Sequence, residues 1–353
     1  MSVGTAVQLA IATLRTGRPV RLTGDQDLTI AAVETVTKEL LELRDPEHRA
    51  QLMISGNRGM ALKLANQREA ADPHAPVIIE RAPWLDAASA VAIADPGRDL
   101  DRGPLGPLQP ITADCAEAAG AALTLARLAG LLPALWILQP AWSDAVISID
   151  EIEGERRQPS VELAARAKLP LDGLPPTQIT AFRASDDGQE HVALVIGAFA
   201  GKPPLVRLHS ECLTGDVFGS LKCDCGPQLK EALRIIGAEG GGVLLYLRQE
   251  GRGVGLANKV RAYALQDRGL DTVDANHRLG FADDERDYAH AAAMLRALGI
   301  DRARLLTNNP DKVKGLEDAG IEVAERVSHQ MPTNPHNADY LITKRKRSGH
   351  LLV

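Results

Sequence analysis

Three of the four cysteines in the chain lie close together, as Cys212, Cys223 and Cys225. Thiolates are preferred zinc ligands, and three protein ligands leave the fourth coordination position to water. Zinc lowers the pKa of such a water to about 7, so a site of this kind favours hydrolysis at neutral pH. The spacing therefore predicts a zinc site, with a structural thiol cluster or a disulfide as the alternatives.

A glycine-rich turn, RQEGRGVG at 248–255, follows an apolar run that predicts a buried strand. A strand that leads through such a turn into a helix offers backbone N–H groups to an anion. Arg252 adds donors that suit a phosphate. The turn lacks the GK[ST] ending of a P-loop, and a flexible turn with a solvated arginine is the alternative.

Two other groups could act on a phosphorylated substrate. The acidic run at 283–287 places carboxylates beside Arg286, which could combine proton transfer with phosphate stabilisation. Its alternative is the solvated start of a helix. Thr307 ends a predicted strand and Lys312 lies in the first turn of the next helix, so both could face a phosphate. The alternative for Lys312 is an ordinary surface lysine.

The composition indicates a globular protein of 353 residues, which is long enough for two domains. The net charge of −6 argues against a nucleic-acid coat and against binding to a membrane surface. No apolar run approaches the roughly 18 residues that span a bilayer. The first residues lack the pattern of a signal peptide, and clustered thiols fit a reducing compartment. We therefore expect a cytoplasmic protein whose anionic ligand meets a local group of basic residues.

Apolar periodicity predicts the elements that must position these residues. In the first half it predicts helices at 28–43 and 114–130, and short apolar runs predict strands at 76–80, 134–138 and 145–149.

The second half gives four further strands and four helices. The strands are predicted at 192–197, 205–209, 242–247 and 303–307, and the helices after Pro227, at 256–268, from Asp283 and after Pro310. This alternation predicts an α/β (α+β) protein of two domains, each a mixed sheet with flanking helices. We place the domains at 1–150 and 162–353, with a charged linker at 151–161.

Three stretches together resemble one enzyme family. They are RLHSECLTGDVFGSLKCDCGPQL, LLYLRQEGRGVGLANKVRAYALQDRGLDTVDANHRLGFADDERDY and LLTNNPDKVKGLEDAGIEV, and they are similar to GTP cyclohydrolase II, the first enzyme of riboflavin biosynthesis. The resemblance covers residues 162–353. It implies zinc-dependent opening of the guanine ring at C8, with release of formate and pyrophosphate and with Mg²⁺ on the triphosphate. The implied product is 2,5-diamino-6-ribosylamino-4(3H)-pyrimidinone 5′-phosphate, and the implied assembly is a homodimer.

The same resemblance assigns roles to individual residues. It implies zinc ligands at Cys212, Cys223 and Cys225. It implies GTP contacts at Arg207, Leu208, His209, Ser210, Glu211, Gln228, Glu250, Gly251, Arg252, Thr272, Thr307 and Lys312. It implies that Asp284 accepts a proton, that Arg286 acts at the α-phosphorus and that Tyr263 lies near the purine. A guanidinium with a pKa above about 12 is a poor nucleophile, so we expect electrostatic stabilisation by Arg286.

The first half resembles 3,4-dihydroxy-2-butanone 4-phosphate synthase, which is commonly fused ahead of GTP cyclohydrolase II. The resemblance rests on GRPVRLTGDQDLTIAAVE at 17–34 and CAEAAGAALTLARLAGLLPALWIL at 115–138. The acidic run that holds magnesium in that family is reduced to Asp25 and Asp27, and the expected histidine is missing.

We therefore expect residues 1–150 to be catalytically inactive and to serve folding, dimerisation or regulation. Two alternatives remain for the whole chain. One is a bifunctional enzyme that makes both riboflavin precursors, and the other is a non-catalytic regulatory module that binds GTP.

Overall fold

A computed structural model of the chain describes residues 3–64, 66–99, 103, 106–112, 114–140, 143–157, 159–199, 201–286, 288–331, 347, 349 and 351. Its strands are β1 (Val20–Thr23), β2 (Leu28–Ala32), β3 (Gln51–Ile54), β4 (Val77–Ile79), β5 (Pro110–Ile111), β6 (Ala134–Leu138), β7 (Ala145–Ser148), β8 (Val161–Lys168), β9 (Thr177–Ala184), β10 (Glu190–Gly197), β11 (Leu205–Ser210), β12 (Gly241–Leu247), β13 (Arg302–Leu306) and β14 (Glu322–Val327). Its α-helices are α1 (Val3–Arg15), α2 (Lys38–Arg44), α3 (Gly56–Ala61), α4 (Ala87–Ala94), α5 (Ala116–Leu128), α6 (Ile149–Arg157), α7 (Leu213–Asp216), α8 (Cys225–Ala238), α9 (Leu256–Gln266), α10 (Thr272–Leu279), α11 (Ala289–Ala297) and α12 (Pro310–Asp318). Within the described ranges, every helix is too short or too polar to span a lipid bilayer.

The chain divides into two units, each made of two stretches of sequence. Unit 1 comprises Met1–Arg157 and Val254–Glu285, and unit 2 comprises Gln158–Gly253 and Arg286–Val353. We call Val254–Glu285 the inserted segment. Each unit contains a seven-stranded mixed sheet with flanking helices, which confirms the predicted α/β fold class.

The sheet of unit 1 has the strand order β5-β4-β3-β6-β2-β1-β7, and only its β1–β7 pair is parallel among the described strands. Ile30 of β2 packs in an apolar cluster with α1 and α5, whereas Ala31 packs in a second cluster with α4, α9 and α10. Consecutive residues of a strand point to opposite faces, so both faces of this sheet are covered. The inserted segment therefore supplies part of the core of unit 1.

The predicted helix at 28–43 is wrong over its first part. Residues Leu28–Ala32 form the strand β2, all five residues of which are buried, and only Lys38–Arg44 is helical. A continuous apolar run fits a strand buried on both faces as well as it fits a helix, and the pairing of β2 with β1 and β6 decides between them. The helix α2 begins after Thr37, whose hydroxyl accepts a hydrogen bond from the Leu40 amide.

The sheet of unit 2 has the strand order β14-β13-β11-β12-β10-β9-β8. Strands β8, β9, β10 and β12 pair antiparallel, while β12, β11, β13 and β14 pair parallel. Helices α11 and α12 pack in one cluster with Val206 and Leu208, and α8 packs in another with Leu205 and Leu244. The parallel strands β11, β12 and β13 end at the same edge, where open α/β sheets bind their ligands.

Most elements predicted for the second half are confirmed, but the start predicted for one helix, at Asp283, is wrong. Residues 283–286 are not helical and α11 begins only at Ala289. The Asp283 carboxylate pairs with His277, and the Glu285 carboxylate accepts a hydrogen bond from the Ala282 amide. These local bonds compete with helix formation. The last member of the predicted acidic run, Asp287, lies outside the described residues.

Candidate active site

The three clustered cysteines are brought together by two elements of unit 2. Cys212 follows β11, while Cys223 and Cys225 stand at the start of α8. Their sulfur atoms all lie within 4.8 Å of one another, and the Cys212 and Cys223 sulfurs are 3.6 Å apart. None of the four cysteines is in a disulfide bond, which excludes the disulfide alternative.

Two glycines make this approach possible. A Cβ atom at Gly215 would lie 2.8 Å from the Cys223 sulfur and 3.1 Å from the Cys212 sulfur. A Cβ atom at Gly226 would lie 2.3 Å from the Gly215 carbonyl oxygen. Any larger residue at these positions would therefore push the turn that follows Cys212 away from the start of α8.

The donor set fits zinc. Zinc–sulfur bonds of about 2.3 Å in a tetrahedron place sulfur atoms about 3.8 Å apart, close to the spacing of Cys212 and Cys223. Hydrogen bonding to Cys212 raises the pKa of Cys223 to about 11, and the same crowding with burial raises the pKa of Cys225. Three thiols this close resist losing their protons unless a cation compensates the charge. Soft ligands in this arrangement thus suit a soft divalent metal.

His209 lies beside the cysteines on β11, and Asp216 of α7 fixes it. The His209 Nε2 atom is 3.0 Å from Asp216 Oδ1, and both side chains are 3% exposed. The second oxygen of Asp216 accepts hydrogen bonds from the Cys212 amide at 3.0 Å and from the Tyr246 hydroxyl at 2.9 Å. Burial lowers the pKa of His209, against the opposing effect of the Asp216 carboxylate. The imidazole is therefore held neutral by its surroundings in one fixed orientation.

Arg207 is a buried cation on the same strand. It donates to the Leu306 carbonyl at 3.1 Å and to the Gln228 side-chain oxygen at 2.6 Å. The Gln228 amide nitrogen in turn donates to Asp224 at 2.5 Å. Burial lowers the pKa of Arg207 to about 10, so the side chain stays charged at neutral pH.

The end of β11 also carries buried polar atoms that make no hydrogen bond to the described residues. Arg207 Nε, His209 Nδ1 and Ser210 Oγ are buried without a hydrogen-bond partner among the described residues. Buried polar atoms are nearly always hydrogen-bonded in folded proteins, so each exception calls for an explanation. Their grouping on one strand end is what a polar ligand site would produce.

The predicted anion turn leaves β12 and is tied to the cysteine region. The buried Glu250 carboxylate accepts hydrogen bonds from the Leu213 amide at 2.7 Å and the Gly251 amide at 2.9 Å. Gly251 and Arg252 have φ angles of 65° and 64°. Such values are uncommon for a residue with a side chain, so the turn holds Arg252 in a specific conformation. Glu211 accepts a hydrogen bond from Arg248 at 2.8 Å near the same strand ends.

Lys312 is buried, so the alternative of an ordinary surface lysine is wrong. Its side chain is buried, and its Nζ donates to the Leu208 carbonyl at 2.7 Å. Two cations lie near the ring of Tyr288: Lys312 Nζ is 6.0 Å from the ring centroid, and Arg286 Cζ is 5.9 Å from it. Thr307 is buried at the end of β13, where its hydroxyl accepts a hydrogen bond from the Asn309 amide. The edge of the sheet in unit 2 thus gathers basic side chains around the ends of β11 and β13.

The remaining predicted site residues lie in the inserted segment of unit 1. Tyr263 is half-buried on α9, and Lys259 Nζ is 5.7 Å from the centre of its ring. Thr272 begins α10 and accepts a hydrogen bond from Gln266 at 3.1 Å. Asp284 follows α10 and is half-buried.

Several residues that organise the site were not predicted from the sequence, above all Asp216 and Tyr288. Asp216 lies between the cysteines in the sequence, four residues after Cys212. That spacing is the signal that could have found it, because a carboxylate one turn after a ligand can reach back to the ligand's own amide.

Comparisons with known proteins show which enzyme family this chain is similar to. Residues 162–328 match the family model for GTP cyclohydrolase II. The chain is 43% identical over 369 residues to the GTP cyclohydrolase-2 of Azospirillum brasilense. The aligned region covers 98% of this chain and 94% of that protein. This chain belongs to the GTP cyclohydrolase II family.

Two further relatives cover less of the chain. The GTP cyclohydrolase-2 of Azotobacter vinelandii is 58% identical over 195 residues, or 55% of this chain and 93% of that protein. The riboflavin biosynthesis protein RibBA of Bacillus mycoides is 48% identical over 256 residues, or 66% of this chain and 64% of that protein. The predicted enzyme class, GTP cyclohydrolase II in riboflavin biosynthesis, is confirmed.

Proposed function

We propose that this enzyme uses zinc to hydrolyse GTP to 2,5-diamino-6-ribosylamino-4(3H)-pyrimidinone 5′-phosphate, formate and pyrophosphate. The observation that carries the proposal is the group of three reduced cysteines, Cys212, Cys223 and Cys225, whose sulfur atoms lie within 4.8 Å of one another beside buried basic side chains. Hydrolysis of an aromatic ring needs a nucleophile at neutral pH, and a triphosphate needs cationic donors. The end of β11 offers groups suited to both.

The three cysteines would hold the metal. Bound zinc with three protein ligands supplies an open position at which water is acidic enough to act as a nucleophile. Asp216 supports that arrangement by fixing the Cys212 amide and His209 together. A carboxylate only accepts hydrogen bonds, so His209 carries its proton on Nε2 and presents Nδ1 as an acceptor.

The triphosphate would be bound by charge in unit 2. Arg207 and Lys312 are buried cations, and Arg252 is held in a fixed turn. Burial strengthens their interaction with an anion, because little water screens it. Arg286 would stabilise the α-phosphate electrostatically, and Mg²⁺ bound with the triphosphate would shield the remaining phosphate charge. Gln228 accepts a hydrogen bond from Arg207, and Glu211 accepts one from Arg248 nearby. Glu250 anchors the turn that carries Arg252, and Thr307 accepts from the Asn309 amide ahead of the helix that carries Lys312.

The roles of residues in the inserted segment follow from the family resemblance. Asp284 accepts a proton, Tyr263 lies near the purine and Thr272 contacts GTP. The resemblance also supports a homodimer, and reduced thiols support action in the cytoplasm.

The test is product analysis on purified protein supplied with GTP and Mg²⁺. We expect zinc in the protein, equimolar formate and pyrophosphate, and the mass of the ring-opened product. Cys223→Ser should lose zinc and formate release, while Cys115→Ser is the matched control, since Cys115 lies far along the chain from the metal cluster. GTP binding without formate release by the wild-type protein would contradict the proposal and favour the non-catalytic module.

A further inference from the structure

The inserted segment is built into the apolar core of residues 3–157. Its buried side chains Val254, Ala262, Leu265, Ala275, Leu279 and Phe281 belong to one cluster with Leu52, Ile79 and Trp136. Phe281 is only 1% exposed. The segment is thus folded as part of unit 1, although the family match at 162–328 includes it.

A charged side chain of the first half holds α9. Glu34 accepts a hydrogen bond from Arg261 at 2.7 Å with one carboxylate oxygen and from the Leu132 amide at 2.9 Å with the other. Arg261 also donates to Asn258 at 2.7 Å, and the fully buried Asn258 donates to the Gly130 carbonyl at 3.4 Å. These bonds fix both the rotation and the position of α9 on the first half.

The carboxyl end of α10 is held by α3. The last carbonyl groups of a helix lack partners within the helix and must find them elsewhere. Here the Arg278 carbonyl, in the last turn of α10, accepts from Arg58 at 3.2 Å. Just beyond the helix, the Phe281 carbonyl accepts from the Asn57 side chain at 3.0 Å. Arg58 is itself buried and paired with Asp99 at 2.7 Å.

The contact between α10 and α3 is also close in space. Gly280 ends α10 with a φ of 89°, and a Cβ atom there would lie 2.5 Å from the Ser55 hydroxyl. The residues after Gly280, including Asp284, therefore leave α10 in a direction that the first half sets.

We propose that residues 3–157 act as a scaffold for GTP hydrolysis, with Glu34, Asn57 and Arg58 as positioning residues for the inserted segment. The segment carries Tyr263, Thr272 and Asp284, so the inference rests on the function proposed above. As a scaffold, the first half would contribute to GTP hydrolysis without being catalytically active itself. The contacts of α9 and α10 with the first half hold the segment at both of its ends.

The experiment uses the whole chain of 353 residues with Glu34→Gln and Asn57→Ala, each of which removes one polar contact without emptying the core. The control is Asp27→Asn, which breaks the Arg21–Asp27 ion pair in the same half. Hydrogen–deuterium exchange is measured over 254–285 and, as an internal reference, over β11 and β12. Steady-state kinetics with GTP and zinc content are measured on the same samples.

We expect faster exchange within 254–285 in both variants, unchanged exchange in β11 and β12, and normal zinc content. The value of kcat/KM should fall by about 3- to 10-fold, the range that one lost hydrogen bond allows. The control should match the wild type in every readout. A loosened segment with wild-type kcat/KM would overturn the proposal, and so would unchanged exchange. Loss of GTP turnover in the wild type would instead reject the proposed function, and the exchange data would still report on the scaffold.

Discussion

Gly215 shows how a single residue governs the candidate metal site. Its position facing three cysteine side chains leaves no room for a Cβ atom, which would approach the Cys223 sulfur to 2.8 Å. The turn after Cys212 is otherwise tied to Glu250 through the Leu213 amide. Because this bond restrains the turn, a Cβ atom at Gly215 would change the distances between the cysteine sulfurs.

We predict that Gly215→Ala weakens zinc binding by about 10- to 100-fold, as is common when groups that support metal ligands are disturbed. Zinc content by elemental analysis and titration against a competing chelator would measure this. Gly120→Ala is the control, because a Cβ atom there meets nothing within 4 Å. Wild-type zinc affinity in Gly215→Ala would show that the turn can move without cost.

At this scale the sequence indicated the cysteines but not Asp216. Three cysteines at short spacing are rare enough to mark a metal site. Asp216 matters because it meets His209, Cys212 and Tyr246, which come from three places in the chain. Its spacing of four residues from Cys212 points only to the bond with the Cys212 amide, and the contacts with His209 and Tyr246 arise only when the strands pair.

Strand β10 contains a buried histidine that links pH to stability. His191 is 2% exposed, and its Nδ1 accepts a hydrogen bond from the Arg248 amide at 3.0 Å, next to the end of β12. Burial lowers the pKa of His191 to about 3, with the neighbouring His290 as the second cause. The folded protein therefore keeps this imidazole neutral where an unfolded chain would protonate it.

The sign of the effect follows from proton binding. Between about pH 6.5 and pH 3 the unfolded state binds one more proton at His191, so the free energy of unfolding falls as the pH falls. The loss approaches about 1.4 kcal/mol per pH unit for this group. We predict that His191→Gln, whose side-chain carbonyl can still accept from the Arg248 amide, makes the fall shallower.

Chemical denaturation at about pH 7 and about pH 5 would measure the difference. His74→Gln is the control, because His74 is exposed. An identical pH dependence in His191→Gln and the wild type would contradict the prediction.

Elements were predictable where the apolar pattern allowed one structure. Helix α5 agrees with its predicted range of 114–130, and the strands β6 and β7 agree with theirs. The run at 28–32 was misassigned because burial on both faces removes the alternation that marks a strand. Helix α11 starts later than predicted because Asp283 and Glu285 form side-chain contacts instead of an N-terminal helix turn.

For the whole molecule, we predict that the chain forms no 3,4-dihydroxy-2-butanone 4-phosphate from ribulose 5-phosphate and Mg²⁺. Asp25 is exposed and Asp27 pairs with Arg21, which leaves few oxygen ligands for magnesium at the expected place. Product mass spectrometry would measure this. The control is release of formate from GTP by the same preparation, and formation of the butanone phosphate would favour the bifunctional enzyme.

The sequence by itself determined the enzyme family and the candidate site residues, because thiol spacing, a glycine-rich turn and basic residues after apolar runs are local features. It also determined that two mixed sheets would form, since apolar periodicity is local as well. Only the tertiary structure decided that Val254–Glu285 folds with the first half of the chain. That outcome depends on which apolar surfaces meet. The sequence shows that Ala262, Leu279 and Phe281 are apolar, but it does not show which side chains will pack against them.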